Sequence, residues 1–66
     1  MSVVLHFLRY QRPAQHETES VVEAVSLAYR MLQEGTGDPQ WIERGDTIAM
    51  TRDDLEWDWK RLGLRL

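Results

Sequence analysis

Ser20-Val21-Val22-Glu23-Ala24-Val25-Ser26-Leu27-Ala28-Tyr29-Arg30-Met31-Leu32-Gln33-Glu34-Gly35 is the stretch on which the fold turns. It carries both end signals of a helix. Ser20 and Glu23 have the spacing of a capping box, in which the serine hydroxyl accepts from the Glu23 N–H and the glutamate returns to the Ser20 N–H. Glu17 and Glu19 upstream complement the positive end of the helix dipole. Gly35 supplies the left-handed residue that stops the helix. Between these ends Val21, Val25, Ala28 and Leu32 recur at helical spacing, flanked by Val22, Ala24, Leu27, Tyr29 and Met31. The spacing predicts a helix over 20–34 with an unusually wide apolar face. Leu27 and Met31 lie at one margin and Val22 and Tyr29 at the other, more than a small sheet is expected to bury. A second helix, a partner or a second copy is expected to cover the remainder.

Upstream, Val3 to Tyr10 is rich in β-branched and aromatic residues and is apolar on both alternating faces, which predicts a strand. Two apolar faces suggest a central strand, or one whose second face meets the C-terminal segment or another molecule. Arg12-Pro13 is expected to end it, because proline cannot donate to a ladder, and residues 13–19 read as a polar loop. Downstream, Gly35-Thr36-Gly37-Asp38-Pro39 reads as a second loop. No lysine and no helix follow its glycines, so it is not a phosphate loop.

Gln40 to Met50 predicts a hairpin, with Trp41-Ile42-Glu43 and Thr47-Ile48-Ala49-Met50 as strands and Arg44-Gly45-Asp46 as the turn. The Arg-Gly-Asp tripeptide is taken as turn chemistry rather than as an integrin-binding motif. Thr51 then caps a second helix, with Asp54 at the capping-box position and Asp53 complementing the dipole. Leu55, Trp59 and Leu62 share a face, Lys60 and Arg61 fall in the last turn, and Gly63 ends it. The tail Leu64-Arg65-Leu66 is either frayed or docked by its leucines.

The expected order is β-α-β-β-α. This is an α+β fold in which a small three-stranded sheet carries the long helix on one face. The short C-terminal helix is expected to close an edge or the second face. The 66 residues make one domain, 1–66. So short a chain buries a modest core, and without cysteine it has neither disulfides nor thiolate zinc to support it. The apolar N-terminus lacks a basic leading region and a small-residue cleavage site, and no apolar run reaches membrane-spanning length. A soluble, cytoplasmic protein is expected.

The net charge of −3 is unevenly placed. Arg9 and Arg12 give the first sixteen residues +2, and Lys60, Arg61 and Arg65 give the last eight +3. All eleven acids fall between Glu17 and Asp58, giving that segment −8. Direct nucleic-acid binding is disfavoured, since it needs a basic stripe.

No catalytic constellation appears, and no cofactor or metal is expected. His6 is read as a hydrogen-bonded sheet-face residue and His16 as a loop residue; two isolated histidines do not make a metal site. Asp53, Asp54, Glu56 and Asp58 lack the loop pattern of a calcium site and the cleft of a glycosidase. They read first as a solvated acidic helix face. Trp57 lies about 200° round the helix from Leu55, at 3.6 residues per turn. It is therefore either an interface anchor in an acidic rim, or buried if the helix lies in a groove or the segment is a strand. Trp41 and Trp59 are read as core.

These features favour a non-catalytic interaction protein whose acidic surface binds a basic, nucleic-acid-handling protein in place of phosphate. In size, acidity and lack of motif the chain resembles the small accessory proteins of phages and mobile elements, such as anti-CRISPR inhibitors. That resemblance implies inhibition by nucleic-acid mimicry and assigns no residues. From the residues themselves, the expected contact patch is Asp53, Asp54, Glu56, Trp57 and Asp58, with Glu17, Glu19 and Glu23 as a second acidic edge. The alternative is an antitoxin-like or structural subunit, or a homodimer, assembling through the apolar margins of helix 20–34. A small enzyme ranks below both.

Overall fold

The computed structural model describes residues 2–63. Its elements are β1 (Val3–Arg9), β2 (Arg12–Thr18), α1 (Val21–Glu34), β3 (Asp38–Arg44), β4 (Thr47–Met50) and α2 (Arg52–Arg61). The fold is α+β, but the sheet has four strands, not three, in the antiparallel order β2-β1-β3-β4.

The additional strand is β2, in the segment expected to be a polar loop. It pairs with β1 from Arg9↔Arg12 to Val3↔Thr18. Pro13 does not break it, because an edge strand leaves alternate N–H groups facing solvent, where proline has nothing to donate. His16 is accordingly a strand residue. The two-residue turn Tyr10-Gln11 has positive φ at both positions, 54° and 65°. That is the requirement of the type I′ hairpin turn, which Asn-Gly usually fills.

The termini of α1 follow the sequence closely. Ser20 Oγ accepts from the Glu23 N–H at 3.1 Å, and Gly35 (φ 69°) closes the C-terminus by donating to Met31 O. The returning half of the expected box differs: Glu23 Oε2 accepts from the Glu19 N–H at 3.3 Å, not from Ser20. At the α2 N-terminus both halves form. Thr51 Oγ1 accepts from the Asp54 N–H, and Asp54 Oδ2 accepts from the Thr51 N–H. Leu62 is exposed rather than sharing the buried face of Leu55 and Trp59.

The expected 35–39 loop is only three residues long, because β3 begins at Asp38. Pro39 is buried, and a register shift opposite His6 and Phe7 lets it and Ile42 face the same side despite lying three residues apart. This is what a bulge does for a strand. One core results, formed by Val3, Leu5, Phe7, Ala24, Ala28, Met31, Ile42, Leu55 and Trp59. Both helices supply it, so α2 packs on the same face as α1, against β3 and β4, and does not close the second face. The wider sheet also accommodates the margins of α1: Met31 is in the core, Leu27 and Tyr29 pack against it, and Val22 alone of the margin residues is left exposed.

The turn yields a stability test. Left-handed backbone costs an L-residue about 1–2 kcal/mol that glycine avoids, partly offset by about 0.5–1 kcal/mol of extra glycine entropy in the unfolded chain. Gln11→Gly is expected to stabilise the domain by about 0.5–1 kcal/mol, read as a higher urea midpoint at unchanged slope.

Candidate protein-interaction surface

The segment Asp53–Asp58 forms the middle of α2, held in place by one arginine. Arg52 donates through Nη1 to Asp38 Oδ1 at 2.5 Å and to the carbonyl of Pro39, and through Nε to Glu56 Oε1 at 3.3 Å. Its guanidinium also lies 5.2 Å from the centre of the Trp59 ring. Partial burial works to lower the Arg52 pKa, but hydrogen bonds and the negative charges of Asp38 and Glu56 outweigh it, so the pKa is raised. Arg52 therefore stays charged and ties α2 to the start of β3. Beneath it, Trp59 is fully buried, and its indole N–H has no hydrogen-bond partner among the described residues.

This geometry divides the acidic cluster. Asp54 is used by the cap, Glu56 pairs with Arg52, and Asp58 pairs with Arg61 Nη2 at 2.5 Å. Among the described residues, Asp53 is the one acid of the four with no such partner. The helix spans four acids and three bases, Arg52, Lys60 and Arg61, so its charge is largely balanced along its own length. Trp57 is 73% exposed on a regular helix, which rules out the groove and the strand as its setting. The indole stands between Glu56 and Asp58, pointing away from the core.

The second acidic group does not join this surface. Glu17 lies on β2 at one edge of the sheet, with Glu19 and Glu23 at the start of α1 beyond it. The α2 helix packs at the opposite edge, against β3 and β4. The expected residues therefore form two separate surfaces.

Sequence reasoning missed a third set. Trp41, expected in the core, is 38% exposed on the face of the sheet away from the helices. It stacks on His6, with ring centroids 4.5 Å apart and planes 15° from parallel, and His6 Nε2 lies 2.9 Å from Glu43 Oε1. His6 is thus hydrogen-bonded on the sheet face, as expected. Tyr10 is 93% exposed at the hairpin tip. Two open clefts flank that tip, one bordered by Gly35–Asp38 and one by Arg9, Arg12 and Pro13; neither adjoins Trp57. Among the described residues no group of three or more His, Cys, Asp or Glu side chains could hold a metal ion. None of the described helices is long and apolar enough to cross a membrane.

Comparison of the chain with protein-family models, with curated proteins and with solved structures yields no match.

The Arg52 anchor can be tested by its two halves. Arg52→Ala leaves the buried Pro39 carbonyl without its donor and is expected to cost about 1–3 kcal/mol. Asp38→Asn removes only a half-exposed charge and is expected to cost about 0–1 kcal/mol. Chemical denaturation of both variants checks the difference.

Proposed function

We propose that this domain is a non-catalytic protein-interaction module that uses the exposed face of α2 to bind, and so inhibit, a protein with a basic surface. A nucleic-acid-handling protein fits best, because its basic groove accepts carboxylates in place of phosphates. The observation that carries the proposal is the exposure of Trp57 between two carboxylates. An indole in water on a rigid, doubly capped helix has the composition of an interface hot spot: a large apolar anchor with a polar rim. Asp53 supplies free charge beside it. Glu56 and Asp58 add negative potential that their arginine partners partly offset. Asp54 contributes mainly by fixing the helix start. Glu17, Glu19 and Glu23 lie too far across the sheet to share this contact and belong to a separate acidic edge.

The alternative, a subunit assembling through the margins of α1, draws on less surface, since Val22 is the one margin residue left open. The two readings differ in their response to salt. A contact steered by carboxylates weakens as the Debye length shrinks, whereas an apolar contact does not.

The expected outcome is capture of a basic protein from host lysate at about 0.05 M salt and its release near 1 M, where the Debye length falls to about 3 Å. Trp57→Ala is expected to weaken that binding about thirty-fold or more, in line with a hot-spot loss of about 2 kcal/mol, without altering the melting temperature. Capture unaffected by both changes would exclude α2 as the binding surface.

A further inference from the structure

The face of the sheet turned away from both helices is a second surface, built from different chemistry. Alternation places Val4, His6 and Leu8 of β1 there, because Val3, Leu5 and Phe7 point into the core. Register places Glu17 and Glu43 on either side of Val4, Trp41 beside His6, and Ile48 beside Glu43. Pro13 and Gln15 complete the β2 side of this face. None of these positions is a lysine or arginine.

The centre of the face is fixed in advance. Stacking on His6 covers one side of the Trp41 indole, and the His6–Glu43 contact at 2.9 Å holds imidazole and carboxylate together. What remains open is the side of the indole turned away from His6, bordered by the apolar Val4, Leu8 and Ile48, with the Glu43 carboxylate held by the imidazole on the covered side. Such a surface suits a planar cation. A guanidinium stacks flat on an indole in a negative field, whereas an ammonium is a compact point charge without a stacking plane. Because the indole and carboxylate are already ordered, little conformational entropy is lost on binding.

We propose that this face binds an arginine side chain presented by an extended segment of a protein partner. The guanidinium lies on the open side of Trp41, drawn there by the negative potential of Glu43 and Glu17, and apolar neighbours in the segment rest on Val4, Leu8 and Ile48. Charge selects against other occupants. A second copy docked face to face would bring Glu17 and Glu43 of both molecules together with no lysine or arginine of this face between them, and nucleic acid or an anionic membrane would meet the same carboxylates. The site lies on the opposite layer of the domain from Trp57 and does not depend on the role proposed for α2.

The test is a 15N NMR titration at low salt with the peptide acetyl-Thr-Arg-Val-Arg-Thr-amide, beside a control in which both arginines are replaced by neutral citrulline. The arginine peptide is expected to shift the amides of residues 4–8 and 41–43 and the Trp41 indole, and the citrulline peptide to leave them in place. Trp41→Leu, which keeps apolar bulk in the strand, is expected to weaken binding about three- to five-fold through loss of the cation–π contact. Glu43→Gln is expected to weaken it about two- to three-fold through loss of a nearby negative charge. Trp57→Ala is expected to change nothing in this titration, which separates failure here from failure of the α2 proposal. Equal shifts with citrulline, undiminished binding by Trp41→Leu, shifts centred on the Trp57 indole, or self-association of the free protein through residues 4–8 and 41–43 would each overturn the assignment.

Discussion

Burial of Val3, Leu5 and Phe7 along one side of β1 is the constraint from which the rest of the domain follows. These side chains meet Ala24, Ala28 and Met31 of α1, Ile42 of β3, and Leu55 and Trp59 of α2 in one cluster. Each large side chain removed from water contributes about 1.5–3 kcal/mol, against ordering costs of similar total size. A chain of 66 residues cannot support two such clusters, so both helices are drawn to the same side. Three local devices let this happen. The bulge in β3 turns Pro39 and Ile42 toward the same layer, the absence of a side chain at Gly37 leaves room for Met31 and Phe7, and Arg52 fastens α2 to the start of β3. A Cβ at Gly37 would come within 2.6 Å of the Met31 sulfur, so the approach of α1 to the sheet there depends on glycine.

The acidic middle of the chain is less of a negative field than its composition implies. Asp38 and Glu56 share Arg52, and Asp58 is matched by Arg61. Several carboxylates thus serve first as internal connectors between elements. The negative potential left for a partner is local, and it falls beside two partly or fully open indoles on opposite layers of the molecule. Aromatic area, rather than total charge, distinguishes these places from the remaining surface.

What was legible in the sequence was whatever is decided within a few residues. The N-caps Ser20 and Thr51, the stop at Gly35 and the outward direction of Trp57 follow from local spacing and occur as the residues indicate, except that Glu23 returns to Glu19 and not to Ser20. The β2 strand was not legible, because its stability comes from its pairing with β1 and not from its own polar composition. Tyr-Gln lacks the usual hairpin signature, and Pro13 reads as a terminator until the strand is known to be an edge. Trp41 was misplaced for a related reason. A bulge shifts the alternation of β3, and only the register against β1 decides which face an indole takes. The sheet-face surface depends on three strands together, so no short stretch of sequence contains it.

The central position of β1 has a consequence for the order of assembly. Its outer edge closes locally over a two-residue turn, but its inner edge must wait for β3, and contacts such as His6–Glu43 span 37 residues. Local contacts form fast and distant pairings slowly. The hairpin and the capped helix can therefore form while Val3–Leu8 still presents an unpaired row of backbone groups to any neighbouring chain. Docking of β3 removes that hazard. In the finished molecule the β2 edge is protected differently, by Pro13 and by the charged side chains of Arg12 and Glu17. The proline that conceals the strand in the sequence thus also discourages other strands from adding to it.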